Sequence, residues 1–270
     1  VTFLTGRSST GYFSRDAEVR ITLSTGEKVR AALVLAVDGR NSPLRKAAGI
    51  SVTTRRFGQK ALAFAVTHPI LHENISTEIH RSGGPFTLVP LPDYQGMPSS
   101  AVVWMEAGPE AARLMALPDE AFEDALNTRS CGLLGPLKLA SQRTLWPIIS
   151  QIAERLSAQR LALIAEAAHV VPPIGAQGLN MSLADIQTLC TLAQAHPESL
   201  GSQDMLAAYH RARIGDIRTR VAGISLLNQA SMADPQMLRD LRARGLDTLH
   251  GIVPVRRALM HLGLGAKNQS

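Results

Sequence analysis

No G-x-G-x-x-G run occurs in these 270 residues, although glycine itself is not scarce. That absence excludes, within this sequence, the tight strand-to-helix turn that lets backbone amides approach a dinucleotide pyrophosphate. Aromatic residues make up only 4% of the chain. With so few aromatics and much Ala and Leu, helices packed on sheets are expected rather than an all-β fold. The two cysteines, Cys131 and Cys190, sit in no C-x-x-C pattern. A disulfide framework is thereby excluded, and both read as small apolar fillers in a reducing, cytoplasmic setting. No run of about 18 apolar residues is present, so no membrane span is expected, and the first residues show no secretory leader. His68, His72 and His80 follow no ligand spacing, and strand alternation scatters them, so no metal site is expected. No Ser/His/Asp or Cys/His arrangement with supporting motifs is found, so no protein nucleophile and no catalytic side chain are expected.

Charge is present but unevenly placed. The net charge is +6. Residues 1–204 hold 18 basic and 18 acidic side chains, whereas residues 205–270 hold 10 basic and 4 acidic. The whole excess therefore falls on the last quarter, which reads as helices over Met205–Ala230, Pro235–Leu249 and Pro254–Leu262. A solvated helical face is the plain reading of that excess. The sharper one is a face that meets anionic lipid headgroups or an acidic partner. Nucleic acid is not expected, because the basic residues are not interleaved with aromatic stacking residues.

Apolar periodicity supplies a coarse organisation. Val19, Ile21 and Leu23 alternate with polar residues and end at a Thr25-Gly26 turn, the signature of a hairpin. Leu33–Val37 is a buried-looking strand that ends at Asp38. Strands are expected over Arg56–Thr67, Ile75–His80, Pro85–Val89, Ala101–Glu106 and Gln142–Ile149, with a helix over Pro118–Arg129. No internal repeat or low-complexity segment is apparent.

The densest signal is AEAAHVVPPIGAQGLN, Ala165 to Asn180. It follows a strand-like run, Leu161–Ile164, and precedes a helical pattern with apolar residues at Leu179, Leu183, Ile186 and Cys190. The Pro pair fixes φ and removes two N–H groups. Gly175 and Gly178 let the backbone approach a ligand where a Cβ would clash. The helix after them points its free N–H groups and positive end back at the loop, which suits an anion or a ring that becomes anionic on reduction. A tight connection alone would not call for two prolines, two glycines and Gln177 together.

This loop resembles the second flavin-binding motif of the aromatic-ring hydroxylases of the p-hydroxybenzoate hydroxylase type. Within them it looks most like the ubiquinone-biosynthesis hydroxylases, which carry a near-identical PPIGAQGLN. VLAVDGRNSPLRKAAGI, Val34 to Ile50, is similar to that family's Asp-Gly segment. LRARGLDTLHGIVPVRRALMHLGLG, Leu241 to Gly265, is similar to its C-terminal helices. The resemblance implies a mixed α/β (α+β) fold: a truncated FAD/NAD(P)-binding domain, an inserted antiparallel β-sheet substrate domain, and C-terminal helices. The domains would be 1–50 and 151–200 for FAD, 51–150 for substrate, and 201–270 for the helical region. Since the family normally opens with the G-x-G-x-x-G unit, the sequence is expected to be part of a longer protein or the product of a truncated gene.

The resemblance also implies roles. Asp38 and Gly39 would contact the pyrophosphate–ribitol region of FAD. Ser42 or Asn41 would cap the next helix, with Pro43 in its first turn. Arg45 would sit near the cofactor cleft; otherwise it is a solvent-exposed helix residue. Glu166 would replace the superfamily's usual Asp on a ribitol hydroxyl, preceded by Ala165 where Gly is usual. Pro173, Gly175, Ala176, Gln177, Gly178 and Asn180 would face the N1/C2-carbonyl side of the isoalloxazine and stabilise charge on the reduced ring. His169 is expected to be a packed, hydrogen-bonded His rather than a base. Phe86, Leu88, Pro90 and Trp104 would floor the substrate pocket, although each alone reads as ordinary sheet core.

The implied activity is FAD-dependent hydroxylation of a polyprenyl-phenol ring in ubiquinone biosynthesis, with NAD(P)H and O2 consumed through a flavin hydroperoxide. A peripheral position at the inner membrane, or in a ubiquinone-biosynthesis complex, would follow from the basic C-terminal helices. Two other classes stay open. One is a non-catalytic flavoprotein-like fragment or assembly subunit, favoured by the missing G-x-G-x-x-G. The other is a flavin enzyme such as a halogenase or geranylgeranyl reductase, against which the C-terminal similarity argues.

Overall fold

A computed structural model describes residues 1–81 and 83–232. The expected helices Pro235–Leu249 and Pro254–Leu262, and the similarity over 241–265, lie outside the described residues. The described chain forms two compact units. The first comprises Val1–Arg55 and Ile149–Ser225; the second comprises 56–148 and 226–232.

The first unit opens with an antiparallel sheet of β1 (Ser9–Ser14), β2 (Val19–Leu23) and β3 (Lys28–Ala31). Val19 and Ile21 point inward and Arg20 between them outward, as the period-2 pattern requires. Gly26 closes the β2–β3 turn at φ 83°, a left-handed backbone that suits glycine. The short β4 (Val34–Ala36) leads to α1 (Pro43–Ala47). Ser42 caps α1, its Oγ accepting from the Arg45 N–H at 2.9 Å, and Pro43 occupies the first turn, where its missing N–H costs nothing.

The chain enters the second unit along β5 (Val52–Thr67). There follow β6 (Thr77–Arg81), β7 (Gly84–Tyr94), β8 (Met97–Ala107), α2 (Gly108–Ala116), α3 (Asp119–Ser130), β9 (Lys138–Leu139) and β10 (Thr144–Ala153). The sheet order is β10-β5-β8-β7-β6. β5 and β8 are antiparallel in unbroken register from Gln59↔Ala107 to Thr67↔Ser99. Leu62, Phe64 and Val66 alternate onto one face, where they meet Phe86 and Leu88 of β7, Trp104 of β8, and Phe122 and Leu126 of α3. Phe64 and Phe122 meet edge to face, ring centroids 5.2 Å apart.

The return to the first unit runs through β11 (Ser157–Ala158), β12 (Leu161–Leu163), a 3-10 turn at Ala165–Ala167, β13 (His169–Val170) and a second 3-10 turn at Ile174–Ala176. It ends with α4 (Gln177–Ala195) and α5 (Gln203–Met232). β12 lies parallel to β4, Leu161 opposite Val34 and Leu163 opposite Ala36. Such a parallel pair needs a long crossover, and the second unit supplies most of it.

Several expectations need correction. β1 and α2 were not expected; α2 begins with Pro109 in its first turn and carries a Glu110–Arg113 pair, both helix signals. Cys131 and Cys190 are exposed, not fillers. Helix α4 forms where the pattern places it, but its buried residues are Met181, Asp185 and Leu189. The apolar Leu179, Leu183 and Ile186 face outward, at 69%, 53% and 45% exposure. Among the described residues, no helix is long and apolar enough to cross a membrane.

Candidate functional site

Two segments leave the C-terminal ends of adjacent parallel strands in the first unit. Asp38-Gly39 follows β4, and Ala165-Glu166 follows β12. The ladder extends one bond further, from the Ile164 N–H to the Ala36 carbonyl at 3.1 Å. Ligand sites of α/β sheets form at such strand ends.

Arg45 ties the two segments together. It is buried, contrary to the solvent-exposed alternative. Its Nη1 donates to the Ala167 carbonyl at 2.7 Å and its Nη2 to the Arg40 carbonyl at 2.8 Å. Burial weakens this guanidinium's hold on its proton and the Asp38 carboxylate partly restores it. The side chain braces both segments from beneath. Asp38 is exposed, and its Oδ2 accepts from the Leu44 N–H at 3.1 Å, so one of its oxygens helps cap α1.

Glu166, His169, Val170, Val171, Gly178, Leu179 and Ser182 line a cleft of about 280 Å³. One wall is the turn after β12 and the other is the first turn of α4. Glu166 is exposed at this cleft. Gly175 has φ 65°, and a Cβ built on it, on Gly178 or on Gly39 would meet no atom within 4 Å. Ala176, the residue before α4, caps with no side chain, and the first turn holds no acidic residue. The leading N–H groups of α4 are thus uncapped by side chains at the cleft mouth. Pro173, Gly175, Ala176 and Gly178 are exposed; Gln177 and Asn180 are half-buried.

Two alanines at the site have left-handed backbones, Ala165 at φ 55° and Ala176 at φ 50°. A Cβ there costs on the order of 1–2 kcal/mol. The surroundings offset the first: the Ala165 N–H donates to Asp185 Oδ2 at 3.2 Å. Asp185 is fully buried on α4 and collects two more donors, His169 Nε2 at 2.7 Å and Arg213 Nε at 2.8 Å. His169 is therefore packed and hydrogen-bonded, and its acidic partner lies 16 residues further on. Arg213, on α5, also reaches Asp216 at 2.7 Å, and Asp216 accepts from Arg220 at 2.8 Å. Burial alone would raise the Asp216 carboxyl, but the Arg213 and Arg220 guanidiniums outweigh it and hold its pKa below the usual value. The nearby Tyr209 donates to the Leu163 carbonyl at 2.7 Å, and burial pushes its hydroxyl far above the usual range.

Sequence reasoning missed Asp185, Arg213, Asp216 and Arg220. One signal was available: Asp185 is the sole charged residue of α4. The basic excess of the last quarter is also not all solvated, since Arg213 and Arg220 are engaged here.

In the second unit, Phe86, Leu88 and Trp104 are buried in the sheet–helix core and Pro90 is half-buried. His68 is buried with Nδ1 at 2.8 Å from the Ile70 carbonyl and Nε2 at 2.9 Å from Ser100 Oγ.

The family described as FAD binding domain matches residues 14–222, more than half of the chain. The chain belongs to this FAD-binding family. The family's cofactor is FAD, and the site fits it on three observations. The glycines leave open space, the helix start is uncapped by side chains, and Glu166 offers acceptor oxygens in the cleft. Among curated relatives, the ubiquinone hydroxylase UbiL of Rhodospirillum rubrum is 32% identical over 250 residues, covering 92% of this chain and 57% of the relative. The human mitochondrial ubiquinone biosynthesis monooxygenase COQ6 is 28% identical over 280 residues, covering 90% of this chain and 59% of the relative. This FAD-binding chain thus spans a little under three fifths of their length. Among solved structures, p-nitrophenol 4-monooxygenase PnpA from Pseudomonas putida DLL-E4 shares the fold, with a TM-score of 0.78 at 17% identity over 97% of this chain and 67% of that one.

Proposed function

We propose that this chain binds the flavin end of FAD and serves an FAD-dependent monooxygenase that hydroxylates the ring of a polyprenyl-phenol in ubiquinone biosynthesis. NAD(P)H and O2 are the co-reactants. The observation that carries the reading is the cleft between Glu166 and the uncapped start of α4, at the C-terminal ends of parallel strands. Similarity to the ubiquinone hydroxylase UbiL and the ubiquinone biosynthesis monooxygenase COQ6 supports the substrate class.

The geometry supports a role for each segment. Glu166 would accept from a ribitol hydroxyl, and Asp38-Gly39 would approach the pyrophosphate side with the oxygen not committed to Leu44. Pro173 would fix the loop's path, and residues 174–180 would present N–H groups and the positive end of α4 to the ring edge that gains charge on reduction. Arg45 would act indirectly, by fixing both segments. FAD, when bound, supplies the electron transfer and oxygen activation that no side chain provides. Residues 1–50 and 151–200 would then be the FAD-binding part, and 51–150 the substrate part, with Pro90 beside the buried Phe86, Leu88 and Trp104 at the floor of its pocket. The basic residues of 201–270 would favour an anionic membrane surface or an acidic partner in a biosynthetic complex.

The test is FAD titration of the purified chain, read by flavin absorbance and fluorescence after desalting. Retained flavin in the parent chain and a roughly tenfold weaker Kd in Glu166→Ala are expected, the size of one lost hydrogen bond to a charged group. A folded chain that stays colourless at millimolar FAD overturns the reading.

A further inference from the structure

The charged groups around Asp185 form a ladder that starts at one wall of the cleft and ends at the other. On the first wall, Asp185 Oδ2 accepts from the Ala165 N–H and from His169 Nε2. Its Oδ1 accepts from Arg213 Nε at 2.8 Å, and Arg213 Nη2 donates to the Met181 carbonyl at 3.2 Å. Arg213, Asp216 and Arg220 then alternate in sign along one face of α5, each bonded to the next. The last rung returns to the second wall: Arg220 Nη1 donates to Gln177 Oε1 at 3.1 Å. Gln177 in turn donates from Nε2 to the Gly175 carbonyl at 3.1 Å.

Two features separate this from an ordinary helix clamp. The ladder is dry at its inner half and wetter at its outer half: side-chain exposure is 0% at Asp185 and 6% at Arg213, against 37% at Asp216 and 19% at Arg220. The inner rungs are thus part of the core, while the outer one is reachable by solvent and separable from folding. The outer rung also ends on Gln177, the first residue of α4, where the PPIGA loop passes into the helix. That loop holds Ala176 in a left-handed conformation and has no side chain capping the helix it starts.

We propose that Arg220 is a positioning residue for the cofactor loop, locking Gln177 and with it the first turn of α4 at a fixed spacing from the Glu166 wall. The inference deepens the FAD reading, since the loop it positions is the one assigned to the electron-rich edge of the flavin. Arg suits the task because its planar fork serves Asp216 through Nε and Gln177 through Nη1 at once, which the single ammonium of Lys does not reproduce.

The test is a double-mutant cycle on the chain, Arg220→Gln and Gln177→Ala, with Arg220→Lys as a variant that keeps the charge. The first readout needs no cofactor: amide exchange at Met181 and Ser182, whose helical acceptors are the carbonyls of Gln177 and Gly178. Exchange there is expected to rise about tenfold in Arg220→Gln and in Arg220→Lys, the size of a lost hydrogen bond to a charged group, while exchange at the buried Leu163 stays unchanged. In the Gln177→Ala background, Arg220→Gln should add nothing. The second readout is the FAD Kd, expected to weaken by a similar factor in the same variants. Unchanged exchange in both Arg220 variants overturns the proposal. So does an equal rise with and without Gln177, which marks a general loosening of α5. If the exchange pattern is as expected but not even the parent chain holds FAD, the positioning role stands and the cofactor reading falls.

Discussion

The two units treat a carboxylate withdrawn from solvent in opposite ways. In the first, Asp185 is sealed from solvent and receives three donors, and its neighbour Asp216 is held between two guanidiniums. In the second, Glu106 has one close side-chain donor, Trp104 Nε1 at 3.0 Å, the backbone N–H of Ala107, and a guanidinium, Arg129, whose Nε stands 4.0 Å away. Burial pushes the Glu106 carboxyl up, with a smaller push from Glu110, and Trp104, Arg129 and the Ala107 N–H only partly oppose it. Asp216 is half-buried, and desolvation would raise it too, yet its pairs pull it down. Burial does not set the sign; the number and closeness of donors do. A carboxylate with a full complement of partners organises the elements around it, whereas one with too few is kept by packing.

The largest break of this comparison is Asp185→Ala. It strands Arg213 and His169 without their shared acceptor, and should cost about 3–5 kcal/mol. The effect should be confined to the first unit. The chain's two tryptophans, Trp104 and Trp146, both lie in 56–148, so their fluorescence follows the second unit while amide exchange at Leu163 and Leu189 follows the first. Exchange should accelerate at those leucines with the fluorescence transition little moved; an equal shift in both would show that the units unfold as one.

Acidification should separate the units next. Asp216 has a depressed carboxyl, so its contribution is present above the unfolded value near 3.9 and is lost as the pH falls through the lower folded value. Glu106 has a raised carboxyl, so its contribution is present below the unfolded value near 4.3 and is lost as the pH climbs through the higher folded value. Taken from pH 7 towards 3, the second unit should gain from Glu106 while the first loses from Asp216. Glu106→Gln keeps an acceptor for Trp104 and removes the charge, so urea midpoints by tryptophan fluorescence should lose their Glu106-dependent slope between pH 4 and 7. A slope that survives would assign it to other groups.

The smallest effect sharpens the account of the first unit. Ala165→Gly relieves a left-handed Cβ worth about 1–2 kcal/mol but returns about 0.4–1 kcal/mol of chain entropy to the unfolded state, a net gain near 0.5 kcal/mol. Thermal denaturation reads it, and a loss instead of a gain would show that Asp185 alone does not hold that turn.

Much of this architecture was legible in residue patterns, and the parts that were not share a cause. The Thr25-Gly26 turn, the β4 and β12 strands and the PPIGAQGLN loop depend on local chemistry: a positive-φ glycine, an apolar run, fixed φ at proline. The Ser42 cap was equally local. The ladder was not, because Asp185, Arg213 and Arg220 acquire meaning only when α4 and α5 come together. The orientation of α4 misled for a similar reason. Its apolar residues at Leu179, Leu183 and Ile186 mark one face, but the described structure buries the face that carries Asp185, whose three donors outweigh a hydrophobic count. Arg45 was assigned to the surface or the cleft; it is beneath the cleft, since its two bonds are to carbonyls no sequence pattern announces.

The bond from Arg45 to the Ala167 carbonyl joins residues 122 positions apart. At about 5–20 residues per second, a ribosome needs on the order of ten seconds to make that stretch. The first of the two segments that Arg45 joins is therefore synthesised early and must wait, its strand edge and Asp38 turn without their counterpart, while the whole of 56–148 emerges. The binding site is assembled late in translation, and the order in which the intervening sheet forms decides how long the Asp38 segment stands alone.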